Sequence, residues 1–337
     1  MKNASALDLS ALRTRTPPLL IVLGHDDHAA ATASGRFRVH GSSDVFKLLP
    51  PGRLFDQVNL STQFLKQRPQ DASPYQCVLN LVTDPDQHPK TLAALKKLLR
   101  GFRGRVINPP DAVMQSTRDQ VARCLAGTSG LRVPKVVRLR PGIPDAAVQS
   151  ISRANLQFPL ILRQAGTHTG KIVGVFREPD ELAAALTGEG DHLATEFVNL
   201  EGADGLYRKY RVYFFGRRVV YRNLYVSEQW NVHSKDHIRC LAERPELQRE
   251  LLAMFARPEG AFPQPVLDMF RDVRARMPLD FFGMDFGFTR DGEAVLFEAN
   301  ATMSFFPGWA DMQFRHCLPP ACQAFRQLID EAISRAS

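Results

Sequence analysis

The chain has 337 residues, of which 44% are apolar and 23% are charged, and its formal net charge is +8. These proportions are those of a globular protein, and no run of about 18 apolar residues occurs that would span a membrane. The positive charge fits either nucleic acid or anionic small molecules. Because the basic residues are scattered and form no recognised nucleic-acid motif, we expect small-molecule partners, with no nucleic acid and no membrane contact.

The cysteines and the first residues of the chain indicate a cytoplasmic protein. The cysteine count is odd, and no pair has the CxxC spacing of a metal site. Reduced thiols of this kind are typical of the cytoplasm. Residues 1–17 have no apolar core of signal-peptide length, so we interpret them as a mobile lead-in.

The first third of the chain has the pattern of a small parallel α/β domain. Short apolar runs at Leu19–Leu23, Val78–Val82 and Arg105–Asn108 predict three strands. Between the last two, Thr91–Phe102 spaces its leucines on one face, which predicts a helix. Strand, helix and strand in this order favour an α/β domain over residues 18–108.

A glycine-rich stretch suggests a phosphate-binding loop. The segment Pro159–Phe176, PLILRQAGTHTGKIVGVF, reads as strand, loop and strand. From Ala165 to Gly170 the loop has no bulky side chain except His168, so its backbone N–H groups could close over a phosphate. A hairpin loop without a ligand remains the alternative, because glycine-rich loops are common.

A second hairpin concentrates arginines. In RKYRVYFFGRRVVYRNLYV the pair Gly216-Arg217 suits a tight turn, and this turn places Arg211 opposite Arg222. Two like charges at directly opposed positions destabilise a sheet unless an anion such as phosphate or carboxylate binds between them. The alternative is that both arginines point to water and avoid each other.

A third hairpin concentrates carboxylates. Strand-forming residues flank Asp291-Gly292, a strong signal for a two-residue turn. That turn places Asp285 directly opposite Glu298, with Asn300 further along the same face. Such an all-oxygen set suits Mg²⁺, which takes one or two carboxylates and completes its shell with water and substrate phosphates. The alternative, the polar outer face of a surface hairpin, is less favoured because a solvent face normally mixes both signs of charge.

The other face of this hairpin is predicted to be apolar. With the same turn, Phe286 lies opposite Phe297 and Met284 lies opposite Ala299. We therefore expect one face in the core and the acidic face directed at a ligand.

The order of these elements resembles the ATP-grasp superfamily. A glycine-rich hairpin, the segment Glu196-Phe197-Val198, an arginine hairpin and a closing D-x12-E-x-N motif follow one another. The resemblance is closest to the glutathione synthetase-like and ribosomal-protein glutamate ligase-like branches. It covers about residues 105–331, and the closing motif is its most specific part.

The resemblance implies a fold of the α/β (α+β) class. It implies an ATP-grasp fold in which the N-terminal parallel α/β domain, residues 18–108, precedes two α+β subdomains that enclose the nucleotide. The central subdomain, residues 109–190, would carry the phosphate loop. The C-terminal subdomain, residues 191–337, would carry the metal site.

The resemblance also implies roles for single residues. The metal ligands for one or two Mg²⁺ ions, with Mn²⁺ as a substitute, would be Asp285, Glu298 and Asn300. The groups over the phosphates of ATP would be Arg163, Gly166, Thr167, His168, Thr169 and Gly170. The backbone of Glu196, Phe197 and Val198 would bind adenine by amide and carbonyl hydrogen bonds.

Three further sites follow from the same resemblance. Asp204 or Glu201 would hold the ribose, and Arg211, with Arg222 beside it, would lie near the transferred phosphate. For substrate recognition the candidates are Glu228, Asn231 and His233, with an ordinary surface loop as the alternative.

The chain departs from the resemblance at two positions. Relatives usually have lysine where this chain has Arg163, and a bidentate arginine preserves the charge. They often have lysine near Gln120, and Arg118 or Arg123 would have to replace that charge. These departures leave open a weakened or regulatory nucleotide site.

The implied function is an ADP-forming ligase that joins a carboxylate to an amine through an acyl phosphate. Small-molecule acids and amines, amino acids or a peptide among them, are the expected partners, and a homodimer is a candidate assembly. The alternatives are an ATP-grasp kinase acting on a small anionic metabolite and a non-catalytic ATP-binding protein. A required amine co-substrate would distinguish the ligase from the kinase.

Overall fold

Three β-sheets with helices packed on them organise the chain. The computed structural model describes residues 16–26, 43–61, 71–142, 144–167, 172–187, 189–232, 234–256, 262–306 and 314–335. Nearly all of the predicted lead-in lies outside these ranges. Within them, no helix is long and apolar enough to cross a membrane.

The first sheet is parallel, with strand order β2-β1-β3-β4. Its elements in chain order are β1 (Leu19–His25), β2 (Asp56–Ser61), β3 (Cys77–Asn80), α1 (Pro89–Leu98) and β4 (Arg105–Ile107). The predicted strand–helix–strand order is therefore confirmed. The sequence pattern missed β2, because this edge strand buries only Val58 and Leu60 and has no continuous apolar run.

The second sheet is antiparallel, with strand order β6-β9-β7-β8. The elements of this region in chain order are α2 (Pro110–Met114), α3 (Arg118–Leu125), β5 (Leu131–Arg132), β6 (Val136–Leu139), α4 (Pro144–Arg153), β7 (Leu160–Gln164), β8 (Gly174–Phe176), α5 (Pro179–Ala185) and β9 (His192–Glu196). Because β9 pairs here, the second sheet continues past the expected boundary at residue 190.

The third sheet has strand order β11-β10-β12-β13-β5. Its further elements are β10 (Tyr207–Phe215), β11 (Arg218–Ser227), α6 (Ser234–Glu243), α7 (Pro245–Ala256), α8 (Gln264–Arg276), β12 (Phe281–Phe288), β13 (Ala294–Asn300) and α9 (Phe314–Ser334). The short strand β5 joins this sheet parallel to β13, although it comes from the preceding region of the chain.

Among the described residues, most buried apolar side chains belong to one of two separate cores. One core is shared by the first and third sheets, so these two form one packed body. The second sheet has its own small core, formed largely by leucines of its strands and helices, including Leu139, Leu160, Leu162 and Leu182. A cleft between two separately packed bodies is a usual place for a ligand.

Residues 110–125 form two short helices and not one continuous helix. Thr117 is extended, with φ −61° and ψ 153°, and this residue separates α2 from α3. Arg118 therefore becomes the first residue of a new helix, at the edge of the cleft described below.

The carboxylate hairpin keeps the predicted pairing at the end that is remote from its turn. Asp285 pairs with Glu298, and Gly283 pairs with Asn300. The two carboxylates therefore lie on one face of neighbouring strands, as the hairpin pattern predicts.

Nearer the turn the predicted pairing is wrong. Phe286 pairs with Leu296 and not with Phe297, because the register shifts between Asp285 and Phe286. Phe297 is the extra residue of a β-bulge, which re-aims a side chain where two residues oppose one.

The turn itself explains this shift. The Thr289 amide donates to the Glu293 carbonyl at 2.9 Å, so the loop is one residue longer than Asp291-Gly292. Gly292 has φ +83°, the left-handed conformation that a three-residue hairpin loop needs at its last position. The longer loop shifts the pairing of β12 and β13 by one residue from the predicted register, and the bulge at Phe297 shifts it back. Asp285 and Glu298 therefore still pair as predicted.

The arginine hairpin also contains a bulge. It turns at the predicted Gly216-Arg217, but the register shifts beyond the turn, and Arg211 pairs with Asn223. The predicted opposition of Arg211 and Arg222 is therefore wrong. Arg222 is only 2% exposed, and its Nε donates to the Phe305 carbonyl at 2.7 Å, so it supports the sheet from within the core.

One asparagine joins the first sheet to the third. Asn108, in the left-handed region at φ +52°, follows β4 and is fully buried. Its Oδ1 accepts the amides of Asp280 and Phe281 at 2.6 and 3.1 Å, and its Nδ2 donates to the Phe281 carbonyl at 2.9 Å. The Asn108 carbonyl accepts from Asn80 Nδ2 at 2.9 Å.

We expect Asn108→Ala to lower the free energy of unfolding by roughly 2–4 kcal/mol. The substitution leaves the amides of Asp280 and Phe281 without their acceptor, and alanine tolerates the left-handed region less well than asparagine does. Urea unfolding measures the loss. Asn155→Ala, at an exposed residue with φ +50°, is the control for the backbone term alone, and equal losses in both variants would contradict this account.

Candidate functional site

A cavity of about 360 Å³ lies between the second and third sheets. On one side it is bounded by β7 and β9, and on the other by β10, β12, β13 and the segment after β11. Many of the predicted site residues line it: Arg163, Thr167, Glu196, Phe197, Val198, Arg211, Asn231, Asp285 and Glu298. The fold thus brings together residues that lie far apart in the chain.

A smaller cavity of about 40 Å³ adjoins the first. It adds the predicted residues Gly166 and Asn300, together with the segment Thr83–Asp86 that follows β3 in the first sheet. Gln87 Nε2 donates to the Gly166 carbonyl, so the start of the predicted phosphate loop contacts the N-terminal domain. His168, Thr169 and Gly170, like His233, lie outside the described residues.

Three predicted residues do not line either cavity. Arg222 is buried at the bulge of β11. Asp204 is exposed and paired with Arg208 at 2.8 Å. Glu228 is exposed and accepts hydrogen bonds from Arg239 and Arg244 at 2.9 and 2.8 Å, so its carboxylate is held in surface ion pairs.

The ribose candidate Glu201 likewise has a structural partner. It forms an isolated bridge with Tyr207, whose hydroxyl donates to it at 3.4 Å. Tyr207 itself lines the larger cavity.

Arg211 and Asp285 form a bidentate ion pair on neighbouring strands. Arg211 Nε and Nη2 donate to the two carboxylate oxygens of Asp285 at 2.6 and 2.7 Å. Asp285 is 1% exposed, so its charge depends on this partner. Burial disfavours the guanidinium, but the Asp285 charge outweighs it and raises the pKa of Arg211.

Glu298 is surrounded by cationic side chains. Arg118, at the start of α3, donates to Glu298 Oε2 and, at 2.8 Å, to the Phe297 carbonyl. Burial opposes ionisation of Glu298, but nearby arginines, Arg118 and Arg163 foremost, outweigh it and hold its pKa at about 2. Glu298 is therefore a carboxylate at any physiological pH.

The donor set on this face fits a hard divalent cation. The side chains of Asp285, Glu298 and Asn300 point to one face of the hairpin and offer only oxygen and amide groups. Asn300 Oδ1 accepts the Met303 amide at 2.7 Å, which fixes its oxygen and leaves a second lone pair. Two opposed carboxylates and one amide oxygen are the kind of ligands that Mg²⁺ takes.

Arg163 forms no hydrogen bond or close ion pair among the described residues, although its charge acts on Glu298 at longer range. Its Nε is buried and makes no hydrogen bond. The neighbouring Arg118 charge, helped by burial, lowers the pKa of Arg163 to about 9. The Thr195 hydroxyl, which lines the same cavity, is also buried without a hydrogen bond. An anion in the cavity would satisfy both groups.

The predicted adenine-binding segment has only part of its backbone available. The Glu196 amide donates to the Lys135 carbonyl at 3.1 Å, and the Phe197 amide donates to the Pro159 carbonyl at 3.0 Å. A hydrogen bond from a backbone amide to a base would therefore have to be donated by Val198, which lines the cavity.

Aromatic side chains that the sequence reasoning missed also line this cavity. Trp230 packs edge-on against Phe197 at 5.4 Å between ring centroids. The bulge directs Phe297 over Gly287, where a β-carbon would lie 3.0 Å from the ring. Phe297 could not be found from alternation, because a bulge breaks the strict two-residue period. Trp230 follows the end of β11, so it belongs to no alternating run.

Lys209 is another residue of the cavity that the sequence reasoning missed. It lies two residues before Arg211 on the same strand face, so alternation alone could have identified it. Its Nζ donates to the Val232 carbonyl at 3.1 Å and lies 5.5 Å from the Tyr225 ring centroid. Burial lowers the pKa of Lys209, against the attraction of Asp285.

The lysine that relatives often have near Gln120 has a candidate replacement. Gln120 lines neither cavity, whereas Arg118 lines both. Arg123, the other candidate, is 66% exposed and pairs with Asp119. The structure therefore places only Arg118 where a phosphate could bind.

No protein-family model matches this sequence, and no curated protein sequence matches it significantly. Solved structures do match. The D-Ala:D-Ser ligase VanG from Enterococcus faecalis superposes with a TM-score of 0.52 at 13% identity, covering 94% of this chain and 100% of that one. D-alanyl-alanine synthetase A from Vibrio cholerae gives 0.53 at 12% identity, covering 96% and 99%.

A third match is the ATP-grasp ligase PsnB, in a complex with a precursor variant, Mg and ADP. Its TM-score is 0.53 at 13% identity, covering 95% of this chain and 100% of that one. At these identities the likeness concerns the fold. It confirms the predicted ATP-grasp fold over nearly the whole chain.

We expect Glu298→Gln to destabilise the protein at pH 7 by roughly 3 kcal/mol. The folded-state pKa of Glu298 is about 2 against a usual 4.5, so its ionised form stabilises the fold above pH 4.5. This contribution is lost as the pH falls from 4.5 to 2, where the two proteins should converge. Denaturant unfolding at several pH values measures the difference.

Glu293→Gln, in the same hairpin, is the matched control. Glu293 is half exposed and lies 3.7 Å from Arg132, so its loss should matter little. A pH-independent difference between wild type and Glu298→Gln would show that the arginines do not stabilise the carboxylate.

Proposed function

We propose that this chain, which has the ATP-grasp fold, is an ATP- and Mg²⁺-dependent ligase that joins a carboxylate to an amine and forms ADP and phosphate. The most important observation is one cavity that combines opposed carboxylates, Asp285 and Glu298, with the guanidinium of Arg163, whose Nε makes no hydrogen bond. The two carboxylates suit a metal ion, and the guanidinium suits a polyphosphate.

The charge of the cavity supports a polyanionic ligand. Cationic side chains outnumber acidic ones along its wall: Arg118, Arg163, Arg208, Lys209 and Arg211 against Glu196, Asp285 and Glu298. Arg208 is neutralised by Asp204 and Glu250, but the remaining arginines and Lys209 still exceed the two carboxylates near them. A triphosphate carrying one metal ion would balance this excess.

The nucleotide would lie with its base at β9 and its phosphates at the arginines. Val198 would supply an amide to the base, and Phe197, Trp230 and Phe297 would surround it with aromatic surface. The phosphates would then reach Arg163 and Thr167, where the second sheet approaches the carboxylate hairpin.

Asp285, Glu298 and Asn300 would hold the metal. When bound, the ion would neutralise charge on the phosphates and hold them in line for transfer. Asn300 lies at the smaller cavity, so this end of the site faces the N-terminal domain.

The reaction needs no nucleophilic side chain. A substrate carboxylate oxygen attacks the γ-phosphorus of ATP, and the bond to the β,γ-bridging oxygen breaks, giving an acyl phosphate and ADP. An amine then attacks the acyl carbon, phosphate leaves with the electron pair of the broken C–O bond, and the amine loses a proton. The chain contributes by positioning and by charge, with Arg211 beside the transferred phosphate.

The solved structures with this fold support the class of reaction. VanG is a D-Ala:D-Ser ligase, and PsnB is a ligase solved with a precursor, Mg and ADP. An amino acid or a peptide is therefore the first substrate class to try, with ATP as the phosphoryl donor.

We expect ADP and phosphate release from MgATP only when both an acid and an amine are supplied. Fractions of a metabolite pool, or mixtures of amino acids, would be added to the protein and the release measured. Glu298→Gln should reduce turnover by about 100-fold or more, because it removes a metal ligand at almost unchanged size.

Other outcomes of this assay would replace the ligase. Turnover with one acceptor and no amine would indicate a kinase. Tight MgATP binding without turnover on any fraction would indicate a non-catalytic nucleotide-binding protein. Failure to bind MgATP would exclude both the ligase and these alternatives.

We expect Arg163→Gln to weaken ADP and tripolyphosphate binding by about 10- to 100-fold, the worth of a charge-assisted hydrogen bond. The same substitution should leave the ligand-free protein as stable as the wild type or more stable, because it removes repulsion from Arg118. Thermal unfolding with and without each ligand measures both effects. Arg153→Gln, on the exposed face of α4, is the control, and a loss of ligand-free stability in Arg163→Gln would contradict the assignment.

A further inference from the structure

We propose that Arg118 makes divalent-metal binding depend on the nucleotide. In the ligand-free chain the Arg118 guanidinium pairs with the Glu298 carboxylate. A bound polyphosphate attracts this guanidinium away from Glu298. Metal and nucleotide therefore bind together, and the metal ion alone binds weakly. This inference rests on the proposed function and specifies how its site is regulated.

Arg118 blocks one of the two candidate metal carboxylates. Its guanidinium donates to Glu298 Oε2 and to the Phe297 carbonyl at 2.8 Å. The side chains of Arg118 and Glu298 are only 17% and 23% exposed. A metal ion can therefore bind Glu298 Oε2, or both carboxylate oxygens together, only if this guanidinium moves.

The other candidate carboxylate is neutralised in the same way. Asp285 is 1% exposed and bound bidentately by Arg211 at 2.6 and 2.7 Å. A divalent ion entering this pair of ion pairs would place two positive charges beside two guanidinium groups. Without an added anion, repulsion and the loss of both ion pairs oppose its binding.

Of the two arginines, Arg118 is the one placed to move. Arg211 lies on a central strand, paired in register with Asn223 on one side and Asp285 on the other. Arg118 is the first residue of a short helix, and it lines both cavities at the point where they meet. Rotation of its side chain needs no change in the sheet.

The neighbouring Arg163 supplies the reason for the exchange. Arg163 lines the same cavity with its Nε buried and without a hydrogen bond, and its charge repels that of Arg118. A polyphosphate offers oxygen atoms to both guanidinium groups at once and removes that repulsion. Glu298 is then left as a partly buried carboxylate without its ion-pair partner, and a metal ion on the same phosphates would replace that partner.

Linkage makes this coupling reciprocal. If the nucleotide strengthens metal binding by some factor, the metal strengthens nucleotide binding by the same factor. Couplings between two ligands of one protein typically lie at about 5- to 150-fold.

The test measures Mn²⁺ binding by the electron paramagnetic resonance signal of the free ion, with and without ADP, and needs no turnover. For the wild type we expect weak binding of Mn²⁺ alone and at least tenfold tighter binding to the ADP-bound protein, after correction for Mn²⁺–ADP in solution. Arg118→Gln should bind Mn²⁺ alone about tenfold more tightly than the wild type, and ADP should tighten it less. Arg123→Gln, on the same helix but exposed, should behave as the wild type.

Arg118→Lys guards against a folding defect in the glutamine variant. Lysine keeps the charge but makes a single contact, so its coupling should lie between those of the wild type and Arg118→Gln. Equal binding of Mn²⁺ by the wild type with and without ADP, or unchanged coupling in both Arg118 variants, would overturn the inference and leave the ligase untouched. No binding of Mn²⁺ or ADP by any protein would instead overturn the proposed function.

Discussion

Two carboxylates on neighbouring strands repel each other, and the charged residues around the cleft are arranged so that each carboxylate has a cationic partner. Asp285 and Glu298 face each other across the β12–β13 hairpin, and one is almost fully buried. Their charges are balanced from two directions, by Arg211 within the same sheet and by Arg118 from a helix of the preceding region. The acidic pair therefore ties together segments that are separate in sequence, at the point where they bound the cleft.

Two β-bulges shape this face of the third sheet. One makes Phe297 the extra residue, so its ring enters the cavity and its carbonyl is left for Arg118. The other makes Arg222 the extra residue, so Asn223 takes the position beside Arg211. In both hairpins the register shift lies next to the ion pair of Arg211 and Asp285. Bulges at such positions change the direction in which neighbouring side chains point. The arginine that would have repelled Arg211 is thereby moved into the core.

The separation of the two cores bears on the proposed nucleotide site. The second sheet, which presents Arg163 and Thr167 to the cleft, has its own small core, whereas the first and third sheets share one. Asn108 fastens the first sheet to β12 through buried hydrogen bonds. The cleft is thus bounded by one body with a large continuous core and one with fewer contacts, and a bound phosphate would connect them through Arg163.

The sequence alone determined the parallel α/β domain, the three antiparallel strand pairs β7–β8, β10–β11 and β12–β13, and the opposition of Asp285 and Glu298, because alternation, turn residues and apolar runs are local signals. Only the tertiary structure decided the partners of the charged groups. The bulges at Phe297 and Arg222 break the two-residue period, so the pairing beyond them could not be read from spacing. Arg118, Arg163 and Trp230 reach the cavity from different elements, and no local pattern encodes a contact made only when separate segments pack together.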